Sequence, residues 1–282
     1  MYKKIYEQGK GENRHLIHLW TDKGYEQVQW NNYAYRECRK EEAEFTGLKG
    51  EPLLKTHNWD RKTQGLHFAD ISAHQKFLIE KYGINDEPST SHKEVFFDIE
   101  CEMGGALTEE YISNAPKPIT SIAWYDKQAD WWSIVILDKK GQLKHTKTKN
   151  KEIIPLSHEA DLLDTFLNKM EEIQPDMLIG YNSDYFDIPY LFHRMCSVLG
   201  EKDAKRLSPI GVVKYKKNNQ YWYKKDQFVD IAGVESLDYM RLHKKYSWED
   251  EPSWKLDSIG EKYVGINKIE YDGSLDRLFE ED

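Results

Sequence analysis

In "EVFFDIECEMGG", residues 94 to 105, Asp98 and Glu100 stand two positions apart among Val95, Phe96, Phe97 and Ile99. The run has the composition of a buried β-strand, and side chains alternate across a strand. Both carboxylates therefore share a face, about 6 to 7 Å apart at their α-carbons. Two such acids held away from water repel each other and desolvate poorly, so either their pKa values rise or a cation compensates them. A divalent metal would do so. An Asp-x-Glu on the solvent face of an edge strand carries no such meaning, so the reading depends on a further acid. Asp187 in "LIGYNSDYFDIPYL" (178 to 191) supplies one, at the start of a helix that follows a strand ending at Gly180. Alone, Asp187 reads as an N-cap. Its dense flank of Asn182, Phe186, Pro189 and Tyr190 suggests more. If its strand pairs near that of Asp98 and Glu100, the three carboxylates converge and can bind two hard ions about 3.5 to 4 Å apart. Oxygen-only ligation favours Mg²⁺ or Mn²⁺ over Zn²⁺.

The elements that must position these acids follow from patterning. After the turn-rich stretch "GINDEPSTSHKE" (83 to 94), "EVFFDIE", "ITSIAWYD" and "WWSIVILD" read as three strands, the last two joined by a short "KQAD" turn. "HEADLLDTFLNKMEEIQP" reads as a helix with Leu162, Leu163, Phe166, Leu167, Met170 and Ile173 on one face, stopped before Pro175. "DMLIGYNS" is a strand and "DIPYLFHRMCSVLG" a helix closed by Gly200. Three strands, helix, strand, helix predicts an α/β layer with a mixed sheet. Upstream, "FADISAHQKFLIEKYG" reads as a helix. Residues 1 to 90 carry equal numbers of acidic and basic side chains and the remainder carries the whole acidic excess, which separates a small α+β unit at 1–91 from a second unit at 92–282.

Composition excludes several classes. No apolar run approaches the roughly 18 residues of a membrane helix, and "MYKKIYEQGKGENRH" has no signal-peptide core, so no membrane partner and a cytoplasmic location are expected. Cys38, Cys101 and Cys196 form no C-x-x-C pair, which signals neither a disulfide framework nor a zinc site. A net charge of −9 argues against a surface that grips phosphate everywhere, yet leaves room for a local basic track. "KYKKNNQYWYKKDQF" (214 to 228) fits such a track as a Lys- and aromatic-rich hairpin suited to phosphate contact and base stacking, although a plain solvated hairpin has the same pattern.

"FFDIE" and "YNSDYFDIPYL" resemble the first and second exonuclease motifs of the family B DNA polymerases, most closely those of T-even-like bacteriophages. "RLSPIGVVKYKKNN", "GVESLDYMRLHKKY" and "SWKLDSIGEKYVG" follow in the order of the phage exonuclease domain, and the resemblance covers about residues 92 to 282. It implies an RNase H-like fold performing two-metal 3′→5′ proofreading on a DNA primer end or single strand. Asp98, Glu100 and Asp187 would be the metal-binding catalytic acids, and Asn182, Phe186, Met103, Lys216 and Tyr221 would contact the substrate. The family's third motif, a Tyr followed four residues later by Asp, is not matched by Asp272, Asp276 or Asp282, which lack a Tyr at that spacing. The palm signatures are also missing. The resemblance therefore implies the N-terminal and exonuclease portion of a replicative polymerase. A partner chain would carry the third acid and the palm, and would reach any sliding clamp. A non-catalytic nucleic-acid-binding module of a split polymerase and a stand-alone RNase H-like exonuclease are the competing expectations.

Overall fold

The computed structural model describes residues 1–10, 13–60, 62–102, 104–221, 224–249 and 251–266. The chain divides into two compact units, Met1–His92 and Lys93–Asp282.

In the first unit, β1 (Tyr2–Lys10), β2 (Arg14–Thr21) and β3 (Gly24–Asn31) form an antiparallel sheet. A second sheet is made by β4 (Ala34–Glu37), β5 (Phe45–Thr46), β6 (Pro52–Thr56) and β7 (Leu66–His67) in the order β5-β6-β4-β7. Alternation along β2 turns Ile17 and Leu19 to one face, where they pack with Phe77 of α1 (Ala73–Tyr82). The helix starts later than its apolar stripe suggests. Phe68 has φ 64°, outside the helical region, and Ser72 forms a capping box with Gln75 that fixes the first turn. Lys76 of α1 is fully buried, and its Nζ donates to Asn32 Oδ1 at 3.2 Å and to the Tyr33 carbonyl, so hydrogen bonds offset the desolvation of the ammonium.

The second unit is built on one mixed sheet. Its strands are β8 (Glu94–Cys101), β9 (Ile119–Asp126), β10 (Trp131–Leu137), β11 (Thr146–Lys147), β12 (Lys151–Leu156), β13 (Met177–Gly180) and β16 (Glu235–Asp238), in the order β11-β12-β10-β9-β8-β13-β16. The β8–β9 and β9–β10 pairs are antiparallel; β10–β12, β8–β13 and β13–β16 are parallel. The helices are α2 (Glu109–Asn114), α3 (Glu159–Ile173), α4 (Asp187–Val198), α5 (Glu201–Ala204), α6 (Tyr239–Tyr246) and α7 (Leu256–Val264). Between α5 and β16, β14 (Val213–Tyr221) and β15 (Lys224–Ile231) form an antiparallel ribbon.

The core lies against one sheet face: Val95, Phe97, Ile99, Ile122, Trp124 and Val135 meet Leu162, Phe166 and Leu167 of α3 and Tyr190, Leu191 and Met195 of α4. Burial along β8 corrects one expectation. Val95, Phe97, Ile99 and Cys101 are buried, but Phe96 and Glu100 are only partly so and Asp98 is exposed. With Phe96 and Phe97 adjacent, the apolar pattern does not reveal which face the helices cover. Strands β12 and β16 were not foreseen. Pro155 sits within β12, where proline argues against a strand, and β16 ("ESLD") has no apolar run.

Candidate functional site

The parallel ladder between β8 and β13 runs through Met177↔Glu94, Leu178↔Val95 and Ile179↔Phe96. Beyond it the edge of β8 is served by a side chain: the Ile99 N–H donates to Asp187 Oδ1 at 3.4 Å. Asp187 is therefore seated at the residue between Asp98 and Glu100. On its other edge, β8 breaks register with β9 between Glu100 and Cys101, a bulge at the end of the acid-bearing segment.

The turn from β13 to α4 is shaped by close packing. A Cβ at Gly180 would lie 2.6 Å from Ser183 Cβ, so only glycine lets the fully buried Ser183 fold back onto the strand end. Asn182 follows with φ 63°, a left-handed conformation that Asn tolerates better than most residues. Its carbonyl accepts from Tyr185 N at 3.2 Å and Phe186 N at 3.1 Å, and the Ser183 carbonyl accepts from Ile188 N at 3.0 Å. This winds the chain into α4. Phe186 precedes the first helical residue and makes no side-chain cap. Pro189 lies in the first turn, where a missing N–H leaves no partner unsatisfied. The plain N-cap reading of Asp187 thus gives way to a carboxylate that reaches across to another strand.

Asp187 is 5% exposed. Burial pushes its carboxyl up to about 7, and the charges of Asp98 and Asp238 add to this; the Ile99 N–H pulls the other way. The electrostatic deficit that the sequence suggests for the strand acids is seen on the helix acid. The donors are hard carboxylate oxygens, and a buried carboxylate beside a like-charged exposed one suits a divalent cation in kind. Among the described residues, however, no three His, Cys, Asp or Glu side chains stand in a ready-made metal-holding group. Asp187 is coupled to the Asp98 charge and sits on the amide of Ile99, the residue before Glu100.

The other candidates divide. Asn182 lies in the turn that presents Asp187, and its N–H donates to Asp238 Oδ1 at 3.0 Å. Phe186 is partly buried, with its ring 5.5 Å from that of Tyr190. Lys216 belongs to β14 and Tyr221 ends it, but their side chains, like the whole of Met103, lie outside the described residues. Asp272, Asp276 and Asp282 also lie outside them. At the root of the ribbon, Phe228 is 6.2 Å from Tyr185 and the Arg241 guanidinium is 5.1 Å from the Phe228 ring.

Two groups escaped the sequence reading. Asp238, 3% exposed, tops α6 and also binds the turn before α4. Arg194 of α4 donates from Nε and Nη2 to Glu159 at 2.8 and 2.6 Å, and from Nη1 to the Ala115 carbonyl at 3.1 Å. Glu159 also accepts from Ile119 N at 2.8 Å, and the Tyr190 hydroxyl donates to the Lys117 carbonyl at 2.8 Å. Helix α4 is thereby tied to the segment that leads into β9.

Known polymerases are similar to this chain. The chain is 32% identical over 206 residues to a DNA-directed DNA polymerase of Escherichia phage RB69, covering 65% of this chain and 22% of that protein. It is 37% identical over 127 residues to the DNA-directed DNA polymerase of Enterobacteria phage T4, covering 45% of this chain and 14% of that protein. A DNA polymerase of Pyrococcus glycovorans is 33% identical over 125 residues, 44% of this chain and 14% of that protein. The chain thus spans under a quarter of these relatives' length. The family model described as DNA polymerase family B, exonuclease domain, matches residues 69–259, more than half of the chain. Strand acids, turn and helix acid all fall within that match, and the chain belongs to the family B DNA polymerases, of which it carries the exonuclease domain.

Proposed function

We propose that this chain is the N-terminal and exonuclease portion of a T-even-like phage polymerase, with an RNase H-like exonuclease domain that removes nucleotides from the 3′ end of DNA. The observation that supports this is the seat of Asp187 on the N–H of Ile99, the residue between Asp98 and Glu100, together with its coupling to the Asp98 charge. These three side chains would hold Mg²⁺ or Mn²⁺. When bound, a pair of such ions would lower the pKa of the attacking water and take up charge on the departing 3′-oxygen. The protein's own part is positional. The Asn182–Phe186 turn sets where Asp187 enters, and Asn182 and Phe186 are candidates to contact the terminal nucleotide. The ribbon carrying Lys216 and Tyr221 is suited to hold apart primer and template. A further acid, from polypeptide outside the described residues or from a partner chain that also bears the palm, would complete the group.

The test is Mg²⁺-dependent release of deoxynucleoside monophosphates from a single-stranded 3′ end. It should be run with the chain alone and with a polypeptide bearing the palm. Asp98→Ala with Glu100→Ala should remove cleavage and leave DNA binding; unchanged cleavage would refute the assignment. Deleting residues 216–225 should weaken editing of duplex ends more than digestion of single strands, and an equal effect on both counts against the ribbon's role. The second reading, a nucleic-acid-binding module without catalysis, is kept because the Lys- and aromatic-rich ribbon sequence at 214–228 suits phosphate contact and base stacking without cleavage. It predicts DNA binding with no cleavage even when the second polypeptide is present.

A further inference from the structure

Asp238 is a fourth carboxylate at the site, and its hydrogen bonds say what it does there. Its Oδ1 accepts from Asn182 N at 3.0 Å, Met240 N at 2.9 Å and Arg241 N at 3.4 Å, and its Oδ2 accepts from Asp184 N at 3.3 Å. Two of these donors open α6; the other two lie in the turn between β13 and α4, more than fifty residues earlier in the chain. One buried side chain therefore joins the end of β16 to the loop from which Asp187 hangs. A second tie runs beside it: Asp184 accepts from the Ser236 hydroxyl and from Arg241 Nη1. Both oxygens of Asp238 are already engaged by N–H groups, so it has little to offer a cation.

We propose that Asp238 is a positioning residue for the exonuclease site, one that holds Asn182 in its left-handed conformation and thereby seats Asp187 against β8. This rests on reading Asp187 as a site acid. Without Asp238 the Asn182 and Asp184 amides lose their acceptor in a water-poor corner, and the turn has no reason to keep the path that delivers Asp187 to Ile99. A carboxamide keeps one acceptor oxygen, so Asp238→Asn preserves the ties through Oδ1 and forfeits the one to Asp184.

The test compares Asp238→Ala, Asp238→Asn and Asp187→Ala in the full chain by two readouts: Mn²⁺ binding, and amide hydrogen exchange at Ile99, Asn182 and Asp184. The expected result is that Asp238→Ala weakens Mn²⁺ binding by about 10- to 100-fold, the range for groups that orient ligands. It should also speed exchange at Ile99 and Asn182 while the β9–β10 pair stays protected. Asp238→Asn should lose less than about 10-fold in Mn²⁺ binding and speed exchange at Asp184 alone. If Asp238→Ala does not fold, Asp238→Asn decides. A loss of Mn²⁺ as complete as in Asp187→Ala would make Asp238 a ligand and overturn the proposal. Slow Ile99 exchange in a folded Asp238→Ala would overturn it too. Failure of the parent chain to bind Mn²⁺ would strike the proposed function instead, and the exchange data would still judge Asp238.

Discussion

Strand β8 and the corner where β13 gives way to α4 contribute acids to one place on opposite terms. On β8, Asp98 is exposed to solvent and Glu100 is partly covered. At the corner, Asp187 is nearly fully buried and its ionised form is disfavoured. Desolvation thus bears on Asp187, and that carboxylate is the one whose placement involves a specific turn, a specific glycine and a buried partner.

The sharpest way to break this comparison is through activity. Substituting either region should cost cleavage heavily: Asp187→Asn and Asp98→Asn are each expected to lower the rate at least about 100-fold, beyond what groups that only orient ligands contribute. A rate that survives Asp98→Asn would leave the corner acting alone.

Stability without metal separates the regions. In chelator, Asp187 keeps its proton in the folded state up to about pH 7, whereas the unfolded chain releases it near 3.8. The folded protein then binds more protons between these values, so stability falls as pH rises from about 4 to 7. An upper bound is on the order of 4 kcal/mol. Asp187→Asn should flatten that part of a denaturant-midpoint profile, and Asp98→Asn should shrink it only in part, because burial of Asp187 remains the larger cause.

A smaller effect is expected from the tie between α4 and the entry to β9. The Arg194–Glu159 pair is largely covered, with side-chain exposures of 15% and 12%, and Glu159 also serves the Ile119 amide. Arg194→Met should destabilise the domain by about 2 to 3 kcal/mol, since it leaves a covered carboxylate without its cation. Smallest of all, Lys127→Ala at the far end of β8 removes a solvent-exposed bridge to Glu94 and should shift stability by less than about 0.5 kcal/mol. Chemical unfolding of the four variants side by side gives the ranking.

Much of this was legible in the sequence because it is local. Alternation in "EVFFDIE" and the apolar face of "HEADLLDTFLNKMEEI" report strand and helix directly, and both elements lie where expected. Asp187 could be picked out as an acid at a strand-to-helix junction. What sequence could not supply is contact between distant segments. Asp238 in "SLDYMRL" has the look of a helix cap, and it is one; its second set of partners lies 54 and 56 residues away. The inversion of burial between the β8 acids and Asp187 has the same origin, because the covered face is chosen by α3 and α4, which arrive later in the chain.

Strand β13 is four residues long, and its pairing with β8 stops at Phe96. Had it continued for two or three residues more, main-chain carbonyls would have zipped along the edge of β8 and claimed the Ile99 amide, and the acid of α4 would have been shut out. The vacancy left by an unfinished ladder is what admits the third carboxylate. Lengthening that strand would improve the sheet and close the door on the proposed chemistry.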